Sequence, residues 1–597
     1  MKIIKKLFEI LSPKDRKRSY LLLCLIFVMA FVDMLGFASI LPFVAVLSNP
    51  EIVQTNFILN SIYLTLEQYG VKSVNHFLFL LGFVAFSLLI FSLTIKALTQ
   101  YAQVRFTLIR EYHIGKSLIE SYLHQPYSWF LNRNSSDLGK NILSEVSSVM
   151  GGVMMPLITV ISQGSVVIAI VILLILSDPK LALSIGLVLS LSYGIIFYLM
   201  KNTLYRIGSQ RLKANTDRFT AVSEAFGAVK EIKVNSLEKV FITKFSDPAL
   251  IYAKIQSLAA VISQIPRYFI EALAFGGVIL LILIFMSEDN NFTNIVPIIT
   301  LYALAGYRLL PALQQIYAAI TQIRFSEAAL HSLHSDLKNL QYSNLLENKN
   351  NNLKLDKSIE LKNVFYNYPN SNKTNLNNIN IKIPALAKVG IVGETGSGKT
   401  TIVDVILGLL EPTRGNLFVD GKLIDQINKY SWKKIVGYVP QNIYLSDTSI
   451  KENIAFGINI EDIDQNKIEK ASKVSNLHEF VSNELPDSYD TIVGERGIRL
   501  SGGQRQRIGI ARALYHEPKV LILDEATSAL DNLTEKAVME AINNLENKIT
   551  IILIAHRLST VKKCDIIFLL DKGELKAQGK FEELLAINER FKDMTSV

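Results

Sequence analysis

At 597 residues the chain is too long for one compact domain, and two or three are expected. Half of its residues are hydrophobic and 19% are charged, below the roughly 25% of ordinary soluble domains, which disfavours a purely soluble protein. The net charge of +9 comes without a basic patch interleaved with aromatic residues, so it points to membrane topology and anionic lipid head groups and away from nucleic acid. The only cysteines, Cys24 and Cys564, fall in different regions, which excludes a disulfide framework, and both read as core residues.

The chain opens with Met1 to Leu11, where apolar residues recur at helical spacing beside Lys2, Lys5 and Lys6. This is no cleavable signal; it is either a short helix on a membrane surface or a cytosolic lead-in. Six apolar runs follow near 19–46, 77–99, 154–176, 180–200, 266–286 and 294–319, each close to the about 20 residues that a bilayer requires. Lys and Arg crowd the N-terminal tail and the connections after the second and fourth runs, from Arg105 to Lys140 and from Lys201 to Lys254. The alternate connections are nearly free of basic residues, with only Lys72 in 47–76. Both ends are therefore expected in the cytosol, with six spans. The two long basic connections read as helices that continue the spans, broken by turn-like pieces at His124-Gln125-Pro126-Tyr127 and Ala225 to Lys230. In the outer 47–76 loop, Phe57, Ile58, Ile62 and Leu66 lie near helical spacing, which predicts a short helix at the outer membrane surface.

The membrane region is expected over 1–335, a linker rich in Asn, Lys and Leu over 336–358, and a soluble α/β domain over 359–597. There, β-branched runs alternate with helical patterns, which predicts a parallel sheet with crossover helices. Lys388 to Val392 reads as a strand and Thr401 to Leu410 as an amphipathic helix. Between them stands Gly393-Glu394-Thr395-Gly396-Ser397-Gly398-Lys399-Thr400, a phosphate-binding loop in the strand-to-helix context that it requires. Its glycines let backbone N–H groups wrap phosphate oxygens. Lys399 is placed to reach the β- and γ-phosphates, and Thr400 to offer its hydroxyl to Mg²⁺. The apolar strand Val520 to Leu523 ends in Asp524 and Glu525, at the sheet edge where such folds bind ligands. Asp524 fits a Mg²⁺ carboxylate and Glu525 the base that polarises the attacking water. Ile549 to Ala555 ends in His556, which is either structural or a sensor of the γ-phosphate.

With Leu500-Ser501-Gly502-Gly503-Gln504 between these elements, the set resembles the nucleotide-binding domain of ABC transporters, and the whole chain resembles an exporter-type half-transporter. The expected fold class is therefore a multidomain membrane protein, an all-α six-helix transmembrane domain followed by an α/β P-loop NTPase domain. The resemblance implies an ATPase with ATP and Mg²⁺ as cofactors. It assigns Tyr368 to the adenine, and Gln441 to Mg²⁺ and the face toward the membrane domain. Gly393 to Lys399, Thr400 and Thr401 line the nucleotide site. Ser501, Gly502, Gly503 and Gln504 would serve the site of an opposing subunit, and Ser528 to Asp531 would link two sites. Gly494 to Gly497 matches the exporter element that touches coupling helices. One departure stands out: Leu386-Ala387 replaces the usual Gly and acidic residue before the loop strand. A single loop and a single signature per chain imply pairing. With Glu525 and His556 both intact, two copies of this chain are expected rather than a partner with one degenerate site.

Charges inside spans are costly and point to function or to pairing. Asp33 lies in the first run, Arg267 and Glu271 in the fifth and Arg308 in the sixth. A hairpin about residue 290 brings Glu271 opposite roughly Arg308. The two then form a structural ion pair, or Arg308 and Arg267 present positive charge to an anionic head group. Pro266-Arg267 with Glu271, Tyr307 to Pro311, and Pro440 to Leu445 are similar to bacterial flippases for lipid-linked oligosaccharides. This implies a polyprenyl-pyrophosphate oligosaccharide moved from the inner to the outer leaflet of the bacterial inner membrane. A multidrug or glycerolipid exporter, an importer with the same architecture and an ATP-gated channel remain as other readings.

Overall fold

A computed structural model describes residues 2–48, 50–69, 71, 73–177, 179–287, 292–340, 353–369, 374–526, 530–543, 548–555 and 558–595. It divides into two compact units, one of residues 1–125 and 133–342, the other of 126–132 and 343–597.

The first unit is helical. Its elements are α1 (Lys2–Ile10), α2 (Pro13–Ala38), α3 (Ile40–Ser48), α4 (Ile52–Thr55), α5 (Phe57–Glu67) and α6 (Val74–Leu123), then, after α7 (Tyr127–Phe130) of the other unit, α8 (Ser135–Lys140), α9 (Val146–Val149) and α10 (Met155–Ser177). The chain continues through α11 (Pro179–Gly227), α12 (Val229–Val234), α13 (Glu238–Ser287) and α14 (Phe292–Asn339). Local chemistry sets several starts: Ser12 caps α2 with Pro13 in its first turn, and the Asn56 side chain accepts from the N–H groups of Ile58 and Leu59 at α5. Two π-helical turns, Asn141–Glu145 and Met150–Met154, flank α9 and lead into α10.

The expected apolar runs are helical, 19–46 being divided between α2 and α3, and α6, α11, α13 and α14 continue well past their runs as the basic connections suggested. Among the described residues, Pro13–Leu47, Val74–Leu123, Ser135–Leu176 and Glu238–Ala272 are long and apolar enough to cross a membrane. The runs at 180–200 and 294–319 are helical within α11 and α14, but they extend over side chains outside the described set. On α6, Phe79, Phe83 and Phe86 are exposed, an apolar outer face that suits lipid. The opposite face buries a polar line of Ser92, Thr99, Gln103, Thr107 and Arg110, and Arg110 pairs with Asp15. At Gly208 of α11 a Cβ would come within 2.1 Å of the Phe325 carbonyl oxygen of α14, so only glycine permits that close crossing.

The predicted outer-loop helix is α5. Phe57, Ile58 and Ile62 are exposed while Leu59 is buried against Val53 and Phe77. The N-terminal helix α1 packs on α14, with Leu7 and Leu11 buried and Glu9 hydrogen-bonded to His334 at 2.6 Å. Cys24 is exposed, so the reading of it as a core residue is corrected; its helix turns that apolar stretch outward. Helix α14 runs to Asn339, beyond the expected start of the linker at 336.

The second unit carries two sheets. A six-stranded sheet has the order β10-β9-β3-β8-β7-β6, from β3 (Lys388–Gly393), β6 (Val436–Val439), β7 (Val520–Asp524), β8 (Thr550–Ile554), β9 (Ile566–Asp571) and β10 (Glu574–Gly579). It is parallel except for the β9–β10 edge. Strands β3, β7 and β8 are buried at every position, which is why β7 and β8 are nearly all apolar. The expected parallel sheet is present, and the sequence reading did not include a second one. An antiparallel sheet of order β2-β1-β4-β5 stands beside it, from β1 (Ser358–Tyr366), β2 (Leu376–Pro384), β4 (Arg414–Val419) and β5 (Lys422–Leu423). Its β2 alternates buried Ile379, Ile381 and Ile383 with exposed Asn378, Asn380 and Lys382, the period of a strand with one wet face.

The helix after β3 spans Lys399–Ile406, shorter than the expected 401–410, because Gly408 turns the chain at φ +65°. It is buried on nearly all sides and is therefore not amphipathic.

Candidate nucleotide site and the charges of the helical unit

Strand β3 delivers the chain to Gly393 at a tight place: a Cβ there would lie 2.3 Å from the Leu570 carbonyl oxygen of β9. Gly396 and Gly398 take φ +80° and +101°, conformations that side chains resist. The loop thus curls over the helix Lys399–Ile406, whose first N–H groups point at whatever the loop encloses. Lys399 is buried, and its Nζ donates to the carbonyls of Gly393 at 2.7 Å and Glu394 at 3.0 Å. Burial holds its pKa below the usual lysine range, opposed by the charges of Glu525 and Asp524. The Ser397 hydroxyl is buried with no hydrogen-bond partner among the described residues. A curled loop with an orphaned hydroxyl and an inward lysine fits a phosphate chain.

Asp524 ends β7 between β6 and β8, and the Tyr438 hydroxyl of β6 donates to its Oδ2 at 3.4 Å. Glu525 follows at φ +52°, its N–H bonded to the Ile554 carbonyl of β8 at 3.1 Å. Gln441 Nε2 donates to Glu525 Oε2 at 2.8 Å. Lys399, Gln441, Asp524 and Glu525 are thus drawn into one polar cluster at the strand ends. Tyr368 hydrogen-bonds the Thr401 hydroxyl at 3.1 Å and packs edge-on against Tyr366 at 5.1 Å. Ser501 caps the helix Gly502–Tyr515 through a reciprocal box: Gln504 N–H to Ser501 Oγ at 3.2 Å, and Ser501 N–H to Gln504 Oε1 at 2.7 Å. Gly494 to Gly497 form a short turn with Arg496 at φ +53°. His556, Ser528 and Ala529 lie outside the described residues, while Asp531 N-caps the next helix through Thr534.

The departure at Leu386 has a structural counterpart. Leu386 sits at φ +62°, the left-handed conformation that glycine adopts freely. Sequence reading missed Asp404, which is buried near Asp524 and held up at about 6 by burial and then by that carboxylate. The turn at His124 to Tyr127 is recognisable in the sequence, but not the surroundings of Tyr127. The segment 126–132 belongs to the soluble unit, and Tyr127 of α7 titrates high there through burial and the charges of Asp404 and Tyr368. The signal available was His124 to Tyr127 as a turn between basic helices; nothing in the pattern named its neighbours.

In the helical unit the charged residues pair differently from expectation. Arg308 joins Asp33, whose Oδ1 also accepts from the Ser92 hydroxyl at 2.9 Å, and Asp33 is buried. Glu271 does not pair with Arg308. Its partner is Arg267, one turn back on α13, at 2.7 Å. The reason is reach: an i,i+4 pair forms within one helix, while Arg308 finds a buried acid on α2. Arg267 and Glu271 line a cavity of about 140 Å³ with Tyr193, Ile270, Pro311 and Gln314.

Two family models match the chain: ABC transporter transmembrane region over residues 2–309 and ABC transporter over 376–528. The chain belongs to the ABC transporter family, as an exporter-type half-transporter whose membrane region and ATPase region share one chain. It is an integral membrane protein that binds and hydrolyses ATP to drive transport. It is 30% identical over 480 residues to the ATP-dependent lipid A-core flippase of Cupriavidus pinatubonensis, covering 79% of each chain. The same identity holds over 478 residues with the ATP-dependent lipid A-core flippase of Saccharophagus degradans, again 79% of each. A bacterial Atm1-family ABC exporter with ATP bound superposes with a TM-score of 0.77 at 21% identity, covering 95% of this chain and 97% of that one.

Proposed function

We propose that the protein is a flippase that moves a lipid-linked or amphipathic substrate, best fitted by a polyprenyl-pyrophosphate oligosaccharide, from the inner to the outer leaflet of a bacterial inner membrane. The observation that carries this reading is the cavity bordered by Arg267 and Glu271, set among apolar helices. A cation beside an apolar wall suits a ligand with an anionic head and a long hydrocarbon tail. The lipid names of the relatives support the class. They favour a glycerolipid as the second reading, because both flippases above act on lipid A-core. Arg308 is paired with the buried Asp33 and largely covered, whereas Arg267, though paired with Glu271, keeps 51% of its side chain exposed and is the cation offered to the head group.

On this reading two copies of the chain pair, each phosphate loop facing the Ser501 to Gln504 segment of the other. Lys399 and the loop N–H groups bind the phosphates, and Tyr368 stacks on the adenine. Thr400, Gln441 and Asp524 would hold Mg²⁺, which neutralises charge on the phosphates when bound. Glu525 takes the proton of the attacking water, with Gln441 beside it and His556 as a further contact to the γ-phosphate. Closure of the ATPase regions is passed to the helices and turns the cavity outward.

The test is purified protein in liposomes, assayed for ATPase stimulation and translocation with polyprenyl-pyrophosphate glycans, lipid A-core, phospholipids and drugs. Stimulation and ATP-dependent translocation by the polyprenyl-linked glycans are expected, and both should fall in Arg267→Ala. Response to lipid A-core alone would establish the second reading; response to drugs alone would overturn both.

A further inference from the structure

The phosphate loop is gripped from outside as well as from within. The final helix, Glu589–Thr595, is anchored by Phe591, which is fully buried, packs edge-on against Phe581 at 5.5 Å and shares a core with Val392, the residue before Gly393. Asn588 Oδ1 accepts from the Phe591 N–H at 3.0 Å and fixes the entry to this helix. From that anchor Arg590 reaches two neighbouring strand ends at once. Its Nε and Nη2 donate to Glu394 Oε1 at 3.2 and 2.9 Å, and its Nη1 pairs with Asp571. These carboxylates are close because β3 and β9 are adjacent and in register, Gly393 opposite Leu570. Without a cation between them they would repel. Hydrogen bonding by Glu394 and the charge of Asp571 hold the guanidinium above its usual pKa, so it stays charged. Glu394 is the same residue whose carbonyl receives Lys399 Nζ.

We propose that Arg590 is a positioning residue for the phosphate loop: by bridging Glu394 and Asp571 it lets the C-terminal helix set the backbone that Lys399 and the loop N–H groups use to hold ATP. The inference rests on reading 393–400 as the phosphate loop. Arg590 touches no nucleotide in this scheme. Its effect reaches the site through the Glu394 main chain, and it concerns binding of ATP more than the chemical step. The bridge is exposed at one side, so salt should weaken it.

The experiment measures ATPase rate against ATP concentration in the full-length protein. For Arg590→Ala the KM for ATP is expected to rise about three- to fivefold with kcat within about twofold, the scale of an exposed ion-pair network. Arg590→Lys keeps the charge without the fork and should fall between the two. The decisive variant is the exchange Arg590→Glu with Asp571→Arg, which leaves the loop sequence untouched. It restores a cation flanked by two carboxylates and should return KM toward the native value, whereas Arg590→Glu alone should raise it. An unchanged KM in Arg590→Ala overturns the proposal. So does a fall in kcat at constant KM, or an exchange no better than Arg590→Glu. Lys399→Ala separates the two claims: ATP binding that survives it refutes the loop reading itself, whatever Arg590 does.

Discussion

At Glu525 the backbone adopts φ +52°, a region that costs a side-chain-bearing residue about 1–2 kcal/mol. The cost is offset by the Glu525 N–H bond to Ile554 on β8, which continues the parallel ladder one residue past β7. The turn aims the carboxylate at Gln441 and off the strand axis. Strain held at such a point is consistent with a group that must be presented, not packed. Glu525→Gln keeps size and the Gln441 neighbour but removes the carboxylate proposed as the base. ATP hydrolysis should fall by at least about 100-fold while ATP binding persists, measured by turnover and by retention of labelled nucleotide. Normal turnover would remove Glu525 from the role. Leu386 shows the same conformation without a comparable demand on its side chain, which is half exposed. The sequence flagged it only as a departure from a pattern.

The short helix α7 shows what an element can do when its neighbours are unlike those of the chain on either side. Residues 126–132 group with the ATPase unit, while α6 and α8 that flank them belong to the helical unit. The flanks are tied together: Arg133 Nη1 reaches Asp336 Oδ1 at 3.4 Å, and Tyr122 and Asn141 bond the same carboxylate near the end of α14. The flanks are therefore joined around the buried Asp336 carboxylate, and the piece between them carries Tyr127 at its tip. Removing that tip in Tyr127→Ala should leave ATP hydrolysis running but lower the substrate moved per ATP consumed, measured in liposomes by counting both. An unchanged ratio would place the coupling elsewhere, for instance at the 228 break between α11 and α12.

For the whole molecule the question is how many chains make a working ATPase. One chain carries one phosphate loop and one Ser501-to-Gln504 segment, and the latter caps its own helix with both side chains of the reciprocal box. If sites are shared between two copies, faults in different chains complement each other. Lys399→Ala and Ser501→Arg should each abolish hydrolysis as pure assemblies. Mixed dimers carrying one of each retain one intact composite site, so activity should return on co-assembly, read as ATPase in a tag-selected mixed population. No recovery would mean that each chain hydrolyses alone or pairs with something else.

Much of this protein was legible in its sequence, for physical reasons. Long apolar runs bounded by basic connections allow few structures in a bilayer, and the long helices followed. The loop from Gly393 to Thr400 and the Asp524–Glu525 strand end were legible as a pattern because a glycine loop between strand and helix, and carboxylates at the end of a buried apolar strand, are local signals; the structure brings their charges near one another. The antiparallel sheet beside the parallel one was not seen, because alternation in β1 and β2 looks alike whichever strand pairs with it. Only the tertiary structure decided which distant charges meet: Arg308 with Asp33, and Arg590 with Glu394 and Asp571. A charge acts through space, and partners separated by 196 or 275 positions leave no periodic trace in the chain.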